Sequence, residues 1–224
     1  MRIAMHQIQF MPGPRFFHKM AHCDLFVYLD DVQYEKREFQ NRNKIRTKEG
    51  WQYLTVPVLV KGRFSQKIID VEINNTYDWH SEHVKAIKIN YSRAKYFKEY
   101  FSDIEKIYSN TYSKLVEISL ETINFFRKCL KIQTPVKFSS GFGIKTSSTA
   151  KLVDLCKKAG ADEYFSGLGG KDYLDEKLFE NNNIKLAYQD FKYPQYPQVF
   201  DGFESDLSCL DILFNCGHES AKFI

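Results

Sequence analysis

The sequence contains no cysteine pair of the kind that marks a disulfide framework or a redox motif. Its five cysteines are odd in number, lie far apart and form no Cys-x-x-Cys pair. Scattered, unpaired cysteines are typical of proteins whose thiols stay reduced. We therefore expect a cytoplasmic protein with free thiols.

Long apolar runs and a strong excess of one charge are also missing. No run approaches the roughly 20 apolar residues that cross a bilayer, and no basic leader with a long apolar stretch opens the chain. The 32 Lys and Arg and 28 Asp and Glu leave a net charge of +4, spread along the sequence. Nucleic-acid-binding proteins usually concentrate a stronger basic excess on one face. We expect neither a membrane span nor a nucleic-acid partner.

Familiar signatures of nucleotide and covalent chemistry are absent. The sequence has no Gly-x-x-x-x-Gly-Lys-[Ser/Thr] loop, no Gly-x-Gly-x-x-Gly fingerprint and no Gly-x-Ser-x-Gly elbow. His80 and His83 could share a metal at a helix start, but no set of further ligands at a typical spacing accompanies them. We interpret both as helix-surface residues and expect no metal site.

The sequence does contain enough apolar residues for a core, and its ends alternate in element type. Hydrophobic residues make up 43% and aromatic residues 16% of the 224-residue chain. Residues 1–7 are a predicted strand, residues 14–23 a helix that Pro14 can begin, and residues 24–29 an apolar strand buried on both faces. This order predicts a βαβ unit with parallel strands.

The middle of the chain is predicted to be largely helical. We interpret residues 34–46 as a polar connection, residues 51–60 as an edge strand because of its proline, and residues 67–73 as another strand. Residues 78–133 carry apolar residues at helical spacing without a Pro or Gly. They are predicted to form two or three helices of a helical insertion or cover.

Alternating elements return after Thr134. We predict strands at residues 136–139, 162–166 and 183–189, and a helix at 148–159 closed by Gly160. The predicted fold class is therefore α/β. A parallel-sheet, Rossmann-like three-layer domain would be built from residues 1–77 and 134–224, with residues 78–133 inserted as helices.

Polar residues follow each of the predicted parallel strands. Ligands of open parallel sheets bind beyond the carboxyl ends of the strands, so we expect these residues to line one small-molecule site. The candidates are His6 and Gln7 after the first strand, Asp30, Asp31 and Gln33 after the second, Ser139 after a later one, Ser166, Gly167, Gly169, Gly170, Lys171 and Tyr173 after the next, and Tyr196 and Gln198 after the last.

Simpler interpretations exist for the first two clusters. His6 suits a buried histidine whose hydrogen bonds are satisfied, and Asp30 and Asp31 suit the capping of a loop. Adjacent carboxylates in a strand point to opposite faces, so we expect at most one of the two to face a ligand.

Two further segments suggest anion binding. The loop SGLGG at residues 166–170 would let its backbone approach phosphates closely, although it lacks an established phosphate-loop spacing. A charged run such as residues 40–46 is more often solvated surface. Its amide and guanidinium groups nevertheless match phosphate or carboxylate oxygens, the candidates being Asn41, Arg42, Asn43 and Arg46.

The order of several motifs resembles that of the WbqC-like family of bacterial proteins. The motifs cover nearly the whole chain and are HQ, FHKM, DLFVYLDDVQY, NRNKIRT, GWQYLTVPV, YFSGLGGKDYLDE, YQDFKYPQYPQ and LSCLDILFNCG. One departure is Ile8, where the family usually has proline. Members are typically encoded among genes for O-antigen and other surface polysaccharides.

A second resemblance concerns the fold. The first strand, Phe10-x-Pro12, a helix and Asp24-x-Phe-Val27 are similar to the opening of HUP-fold nucleotidyltransferases and pantothenate synthetases. This similarity implies a HUP-like three-layer domain. The His-x-Gly-His signature of those enzymes is absent, since Phe16 and Phe17 stand where its Gly and second His would be.

The family resemblance implies an enzyme of surface polysaccharide assembly. It would transfer an amino acid such as glycine, or another acyl group, to the amine of a nucleotide-linked amino sugar. Amide formation needs a base and donors for the developing oxyanion. In this scheme His6 is the base, Asp30 or Asp31 orients it or a metal, the amides and guanidinium groups of residues 41–46 clamp anionic oxygens, and the Gly167–Gly170 amides with Lys171 hold a phosphate.

Two alternatives stay open. A HUP-type nucleotidyltransferase or ATP-dependent ligase would use ATP and Mg²⁺, so the cofactor is undetermined with these two as candidates. A non-catalytic protein that binds sugar nucleotides would hold its ligand without turnover. The expected partners are a nucleotide sugar and an amino acid, and the sequence is also compatible with a homo-oligomer.

Overall fold

The computed structural model describes all of residues 1–224 and shows a mixed α/β fold with seven α-helices. The strands are β1 (Arg2–Gln7), β2 (Leu25–Leu29), β3 (Arg42–Thr47), β4 (Gly50–Thr55), β5 (Val136–Phe138), β6 (Glu163–Ser166) and β7 (Lys185–Tyr188). The helices are α1 (Pro14–Ala21), α2 (Trp79–Tyr91), α3 (Phe97–Tyr108), α4 (Leu115–Cys129), α5 (Ser148–Ala159), α6 (Glu176–Glu180) and α7 (Cys209–Cys216). None of the helices combines the length and apolar character that crossing a bilayer would take.

The chain divides into two compact units. The first unit consists of Met1–Gln7, Arg15–Val32 and Ile132–Lys192, and the second of Ile8–Pro14, Gln33–Lys131 and Tyr193–Ile224. The helices of residues 78–133 fall almost wholly within the second unit, together with β3, β4 and α7. The predicted division into an α/β domain of residues 1–77 and 134–224 and a helical insertion stays a prediction.

A five-stranded parallel sheet forms the centre of the first unit. Its strand order is β5-β2-β1-β6-β7. In order of appearance within this unit the strands therefore run 3-2-1-4-5, which is the order of dinucleotide-binding folds. The order reverses between β1 and β6, and that reversal is the position where such folds bind ligands.

Helices cover both faces of this sheet because successive side chains of its strands alternate in direction. On one face, Met5 and Val27 pack with Leu155 of α5 and Phe179 of α6. On the other face, the Phe16 ring of α1 lies 5.3 Å from that of Phe26. The first unit is thus a Rossmann-like three-layer α/β fold, as predicted.

The second unit combines an antiparallel hairpin with helices. Strands β3 and β4 pair from Arg42–Thr55 to Thr47–Gly50. Helix α2 begins at Asp78, whose carboxylate accepts a hydrogen bond from the Ser81 amide at 3.1 Å. Burial of large side chains, each contributing about 1.5–3 kcal/mol, stabilises the unit. The fully buried examples include Trp79, Tyr91, Phe126 and Phe214.

Several predicted elements are confirmed and two are wrong. The βαβ unit, the three helices of the middle segment and α5 with its left-handed Gly160 (φ 72°) agree with the sequence. The predicted strand at 67–73 is instead a short 3₁₀ turn at Ile68–Asp70. The predicted polar connection at 34–46 is wrong at its C-terminal end, where the residues form strand β3. The side chains of Asn43 and Arg46 in this strand are buried.

Candidate ligand site at the carboxyl edge of the parallel sheet

The loops after β2 and β5 are joined by the carboxylate of Asp30. This side chain is fully buried (0% exposed) and accepts hydrogen bonds from the Ser139 hydroxyl at 3.0 Å, the Ser140 amide at 3.0 Å and the Ser140 hydroxyl at 2.6 Å. Three donors satisfy most of the acceptor capacity of a carboxylate. Asp30 therefore fixes the ends of two neighbouring strands relative to each other.

Asp31 is held at the same place by Ser139 and Lys151. The single Ser139 hydroxyl proton is shared between Asp30 Oδ1 and Asp31 Oδ1, and Lys151 Nζ of α5 lies 2.7 Å from Asp31 Oδ2. Burial acts to raise the pKa of Asp31, but the hydrogen bonds from Lys151 and Ser139 outweigh it and lower the pKa below its ordinary value. Both carboxylates thus reach Ser139. The expectation that they point to opposite faces is wrong, because both residues lie beyond the last residue of β2.

His6 lies on β1 opposite Tyr28 of β2. Its Nδ1 is 2.9 Å from the Gln7 carbonyl oxygen, and its ring packs edge-on against Phe16 at 5.2 Å. A carbonyl only accepts, so Nδ1 carries the proton and Nε2 keeps its lone pair. Burial, together with the charge of Lys19, lowers the pKa of His6 to about 3. The imidazole is neutral at pH 7 and is a weak base.

Lys19 is a buried cation in the same unit that the sequence interpretation missed. Its side chain is 4% exposed, and Nζ donates to the Met5 carbonyl oxygen at 2.9 Å. Burial lowers the pKa of Lys19 to about 7. The available signal was its position in PRFFHKMA, where Lys19 lies three residues after the buried Phe16 and next to the buried Met20.

The glycine-rich loop after β6 approaches Lys19. A Cβ on Gly167 would lie 3.9 Å from Lys19 Nζ. A Cβ on Gly170 would lie 2.2 Å from Ser166 Oγ, so only glycine fits there. Ser166 is 2% exposed and its hydroxyl donates to the Gly167 carbonyl at 3.1 Å. The backbone of this loop is therefore packed closely around Ser166.

The remaining predicted residues of this loop are open to solvent. Gly169 has nothing within 4 Å of the position that its Cβ would occupy. Lys171 Nζ lies 5.0 Å from the centre of the Tyr188 ring, and Tyr173 is 69% exposed. These side chains are accessible to a ligand at the outer end of β6.

The predicted anion clamp at residues 41–46 lies in the second unit, where its groups bind mainly backbone carbonyls. Asn41 Nδ2 donates to Val56 O at 2.8 Å, and Asn43 Nδ2 donates to Met11 O at 2.9 Å. The Arg46 guanidinium donates to three carbonyls, those of Thr47, Gly50 and Asp201, at 2.6, 2.8 and 2.6 Å. The Arg42 guanidinium donates to the Arg37 carbonyl and also lies over the Tyr53 ring at 4.1 Å.

Tyr196 and Gln198 belong to a buried network around Asp211, also in the second unit. The Asp211 carboxylate accepts from Tyr196 Oη at 2.8 Å, Gln198 Nε2 at 2.9 Å and Tyr91 Oη at 2.9 Å. Burial raises the pKa of Asp211 above its ordinary value, although the hydrogen bonds from these donors act to lower it.

Gln33 is exposed, and its amide donates to the Phe64 carbonyl at 3.2 Å.

Comparison with known proteins decides the family. The model of the WbqC-like protein family matches residues 7–223. The chain belongs to the WbqC-like protein family. An uncharacterized protein of Mycobacterium tuberculosis is similar to it, with 36% identity over 225 residues, covering 100% of this chain and 97% of that protein. No solved structure matches the chain. The resemblance inferred from the motifs is confirmed.

Within the first unit of this WbqC-like chain, two groups of the predicted residues lie together. Asp30, Asp31 and Ser139 form one hydrogen-bonded group, and Ser166 packs with the glycines of its loop. Gln7, the last residue of β1, pairs with Leu29 of β2. Asp30 is the next residue after Leu29, so it lies at the edge of the sheet where β1 ends. Residues of the second unit are engaged in the separate contacts described above: Gln33, Asn41, Arg42, Asn43, Arg46, Tyr196 and Gln198.

The side chains of this WbqC-like protein form no cluster suited to a metal ion, and the second unit has an open cavity. No three His, Cys, Asp or Glu side chains are placed to hold a metal ion. His83 is buried, 6% exposed, with Nδ1 3.1 Å from Tyr108 Oη, so its interpretation as a surface residue is wrong. An open cavity of about 460 Å³ in the second unit contains none of the predicted site residues; it is lined by Thr47, Glu49, Trp51, Gln52, Glu82, Lys85, Ala86, Ile89 and Asn90.

Proposed function

We propose that this WbqC-like protein is an enzyme of bacterial surface polysaccharide (O-antigen) biosynthesis. It transfers an amino acid such as glycine, or another acyl group, from an activated donor to the amine of a nucleotide-linked amino sugar, with release of the donor's leaving group and the amine proton. One observation carries the proposal: four strands, β1, β2, β5 and β6, end in polar groups at one edge of a sheet with dinucleotide-binding order, and the order reversal lies between two of them, β1 and β6.

His6 interacts with the amine of the sugar in this proposal. Nε2 carries a lone pair and can accept a hydrogen bond from the attacking nitrogen. A pKa of about 3 is far below the operating pH, where a general base works poorly. The nearby Lys19 charge is one cause of the low value, so an anionic substrate that neutralises this charge would raise the basicity of His6.

The carboxylates have a positioning role in the proposal. No hydrogen bond joins His6 to Asp30 or Asp31; Asp30 instead fixes the loop after β5, and Asp31 is paired with Lys151. Backbone amides of Gly167–Gly169 and the exposed Lys171 supply donors for a phosphate beyond β6, whereas the Gly170 amide already donates to the Gly167 carbonyl at 2.9 Å. Asp30 directly follows the last residue of β2, which favours a fixed geometry for a bound substrate.

The same sheet order supports a second candidate, an ATP-dependent ligase or nucleotidyltransferase. Such an enzyme would bind ATP and Mg²⁺ and release pyrophosphate. A non-catalytic protein that binds sugar nucleotides would use the same edge without turnover. The five cysteines are free thiols, which supports a place of action in the reducing cytoplasm.

A direct assay separates these candidates. Purified protein is incubated with a uridine-diphosphate amino sugar and either a glycyl thioester without ATP or free glycine with ATP and Mg²⁺, and products are identified by mass spectrometry. We expect a sugar nucleotide heavier by one glycyl group, and a loss of most of this activity in His6→Ala but not in His218→Ala, an exposed histidine. Activity only with ATP and with pyrophosphate release would select the ligase. Ligand binding without any product would contradict the transferase.

A further inference from the structure

The Lys19 ammonium has no negative partner in the folded protein. It is 4% exposed, and its one hydrogen bond goes to the neutral Met5 carbonyl. It forms no ion pair with an Asp or Glu side chain. The neighbouring Cys23 thiol stays protonated because burial raises its pKa to about 12, and Arg15 adds a second positive charge. A buried charge without a partner is costly, which is why burial lowers the pKa of Lys19 to about 7, and a bound anion would favour its charged form.

The position of Lys19 coincides with the order reversal of the sheet. Helix α1 follows β1, and Lys19 Nζ reaches back to Met5 in that strand. β1 is the central strand and lies between β2 and β6. The glycine-rich loop follows β6. Gly167 of this loop is close enough that a Cβ there would lie 3.9 Å from Lys19 Nζ. In doubly wound sheets, ligands with phosphate groups bind in this crevice.

An ammonium has three N–H donors, and the Met5 carbonyl uses one of them. Two donors are left for a ligand. The absence of a side chain at Gly167 lets backbone and ligand come close together. Positive charge from Arg15 adds to the attraction for an anion.

We propose that Lys19 binds the diphosphate of a nucleotide-linked substrate at the reversal between β1 and β6. The inference rests on the proposed function, which supplies a nucleotide sugar as substrate. Lys19 then holds the phosphates while the groups at the end of β1 interact with the sugar amine. A purely structural role, tying α1 to β1 through the Met5 carbonyl, is the competing explanation.

Calorimetry with defined probes tests the assignment. The probes are uridine diphosphate N-acetylglucosamine, inorganic pyrophosphate and glycine, and the proteins are the wild type, Lys19→Met and the exposed-surface control Lys98→Met. We expect both diphosphates to bind the wild type and Lys98→Met equally, and Lys19→Met at least about tenfold more weakly. Equal affinity of a folded Lys19→Met protein for the diphosphates, or no binding to the wild type, would overturn the inference. So would a Lys19-dependent affinity for glycine alone, since the anion would then be a carboxylate.

The pH dependence supplies a measurement on the unmodified protein. A diphosphate diester has no terminal phosphate to titrate near pH 6. Its affinity should therefore fall as pH rises above about 7, where free Lys19 loses its proton, and should be flat in Lys19→Met. The Lys19 pKa, followed by NMR of the side chain, should rise when the probe binds. An unchanged Lys19 pKa in the saturated wild type would overturn the inference even if Lys19→Met fails to fold.

Failure of the inference and failure of the proposed function have different signatures. Lys19-dependent binding of the nucleotide sugar without glycyl transfer would leave the diphosphate site in place and remove the transferase. Glycyl transfer with the same KM in the wild type and in Lys19→Met would keep the transferase and remove the diphosphate site.

Discussion

Lys151 Nζ on α5 lies 2.7 Å from Asp31 Oδ2 in the loop after β2, and this ion pair is nearly buried, with side-chain exposures of 9% and 13%. The pair links the helix that covers one face of the sheet to the edge where the candidate site lies. Its removal should therefore affect both the stability of the first unit and the order of that edge.

Lys151→Met should lower the free energy of unfolding by about 1–3 kcal/mol at pH 7, because it leaves the Asp31 carboxylate without its partner. The pKa of Asp31 is lowered in the folded state, so the pair stabilises above the unfolded-state pKa of about 4 and is lost as pH falls through the lower folded value. Urea denaturation at neutral and acidic pH measures this. A difference between wild type and variant that persists undiminished at pH 2 would contradict the assignment.

Lys19→Met should increase stability at neutral pH. The pKa of Lys19 is about 7 in the folded protein, against about 10.4 in an unfolded chain. The unfolded state holds more protons between these values, so wild-type stability rises with pH across that window. Each pKa unit corresponds to about 1.4 kcal/mol, which makes the gain a few kcal/mol, less about 1 kcal/mol for the lost hydrogen bond to Met5.

The stability gap between Lys19→Met and the wild type should then narrow from pH 7 to pH 10. Denaturation curves at several pH values give the gap directly, with Lys98→Met as the matched exposed control. A gap of constant size would show that the buried ammonium is not the cause.

Gly170→Ala should destabilise the first unit by about 1–3 kcal/mol through overpacking. The new Cβ would lie 2.2 Å from Ser166 Oγ and 2.9 Å from Leu174 Cδ1. Gly169→Ala, in the same turn with nothing within 4 Å, is the matched control and should change stability little. Adding Ser166→Ala should recover part of the loss, because it removes one of the two clashes. Thermal melts of the wild type, the two single variants and the double variant measure these effects. Equal melting temperatures for Gly170→Ala and Gly169→Ala would refute the packing argument.

Tyr196→Phe should cost about 1 kcal/mol of stability by removing one of the three side-chain hydrogen bonds to the buried Asp211 carboxylate. Asp211→Ala should cost more, since it leaves Tyr91, Tyr196 and Gln198 without their common acceptor. Chemical denaturation measures both. A Tyr196→Phe protein with wild-type stability and weakened ligand affinity would instead return Tyr196 to the candidate site.

The sequence is sufficient for most local structure in the first unit. The apolar run before Asp30 and the Pro14 helix predict the βαβ unit, and Gly160 predicts the end of α5. The order of the strands in the sheet could not be predicted in this way. The pairing of β1 with β6 joins segments far apart in sequence and depends on packing, which local sequence patterns do not encode.

Several of the errors share one physical cause, the burial of polar side chains. Asn43 and Arg46 look like solvated surface in the sequence, yet their donors satisfy backbone carbonyls inside the second unit. Lys19 looks like an ordinary surface residue of α1, but tertiary packing covers it. Only the folded arrangement shows which polar residues lose water.

The place of β1 in the sheet also governs how the protein can assemble during synthesis. β1 leaves the ribosome long before its partner strand β6, because Arg2 pairs with Glu163, 161 residues later. Until β6 emerges, one side of this apolar strand is an unpaired edge that can join with other chains. A nascent chain stalled before that point would therefore be the form most prone to aggregate and most in need of a chaperone.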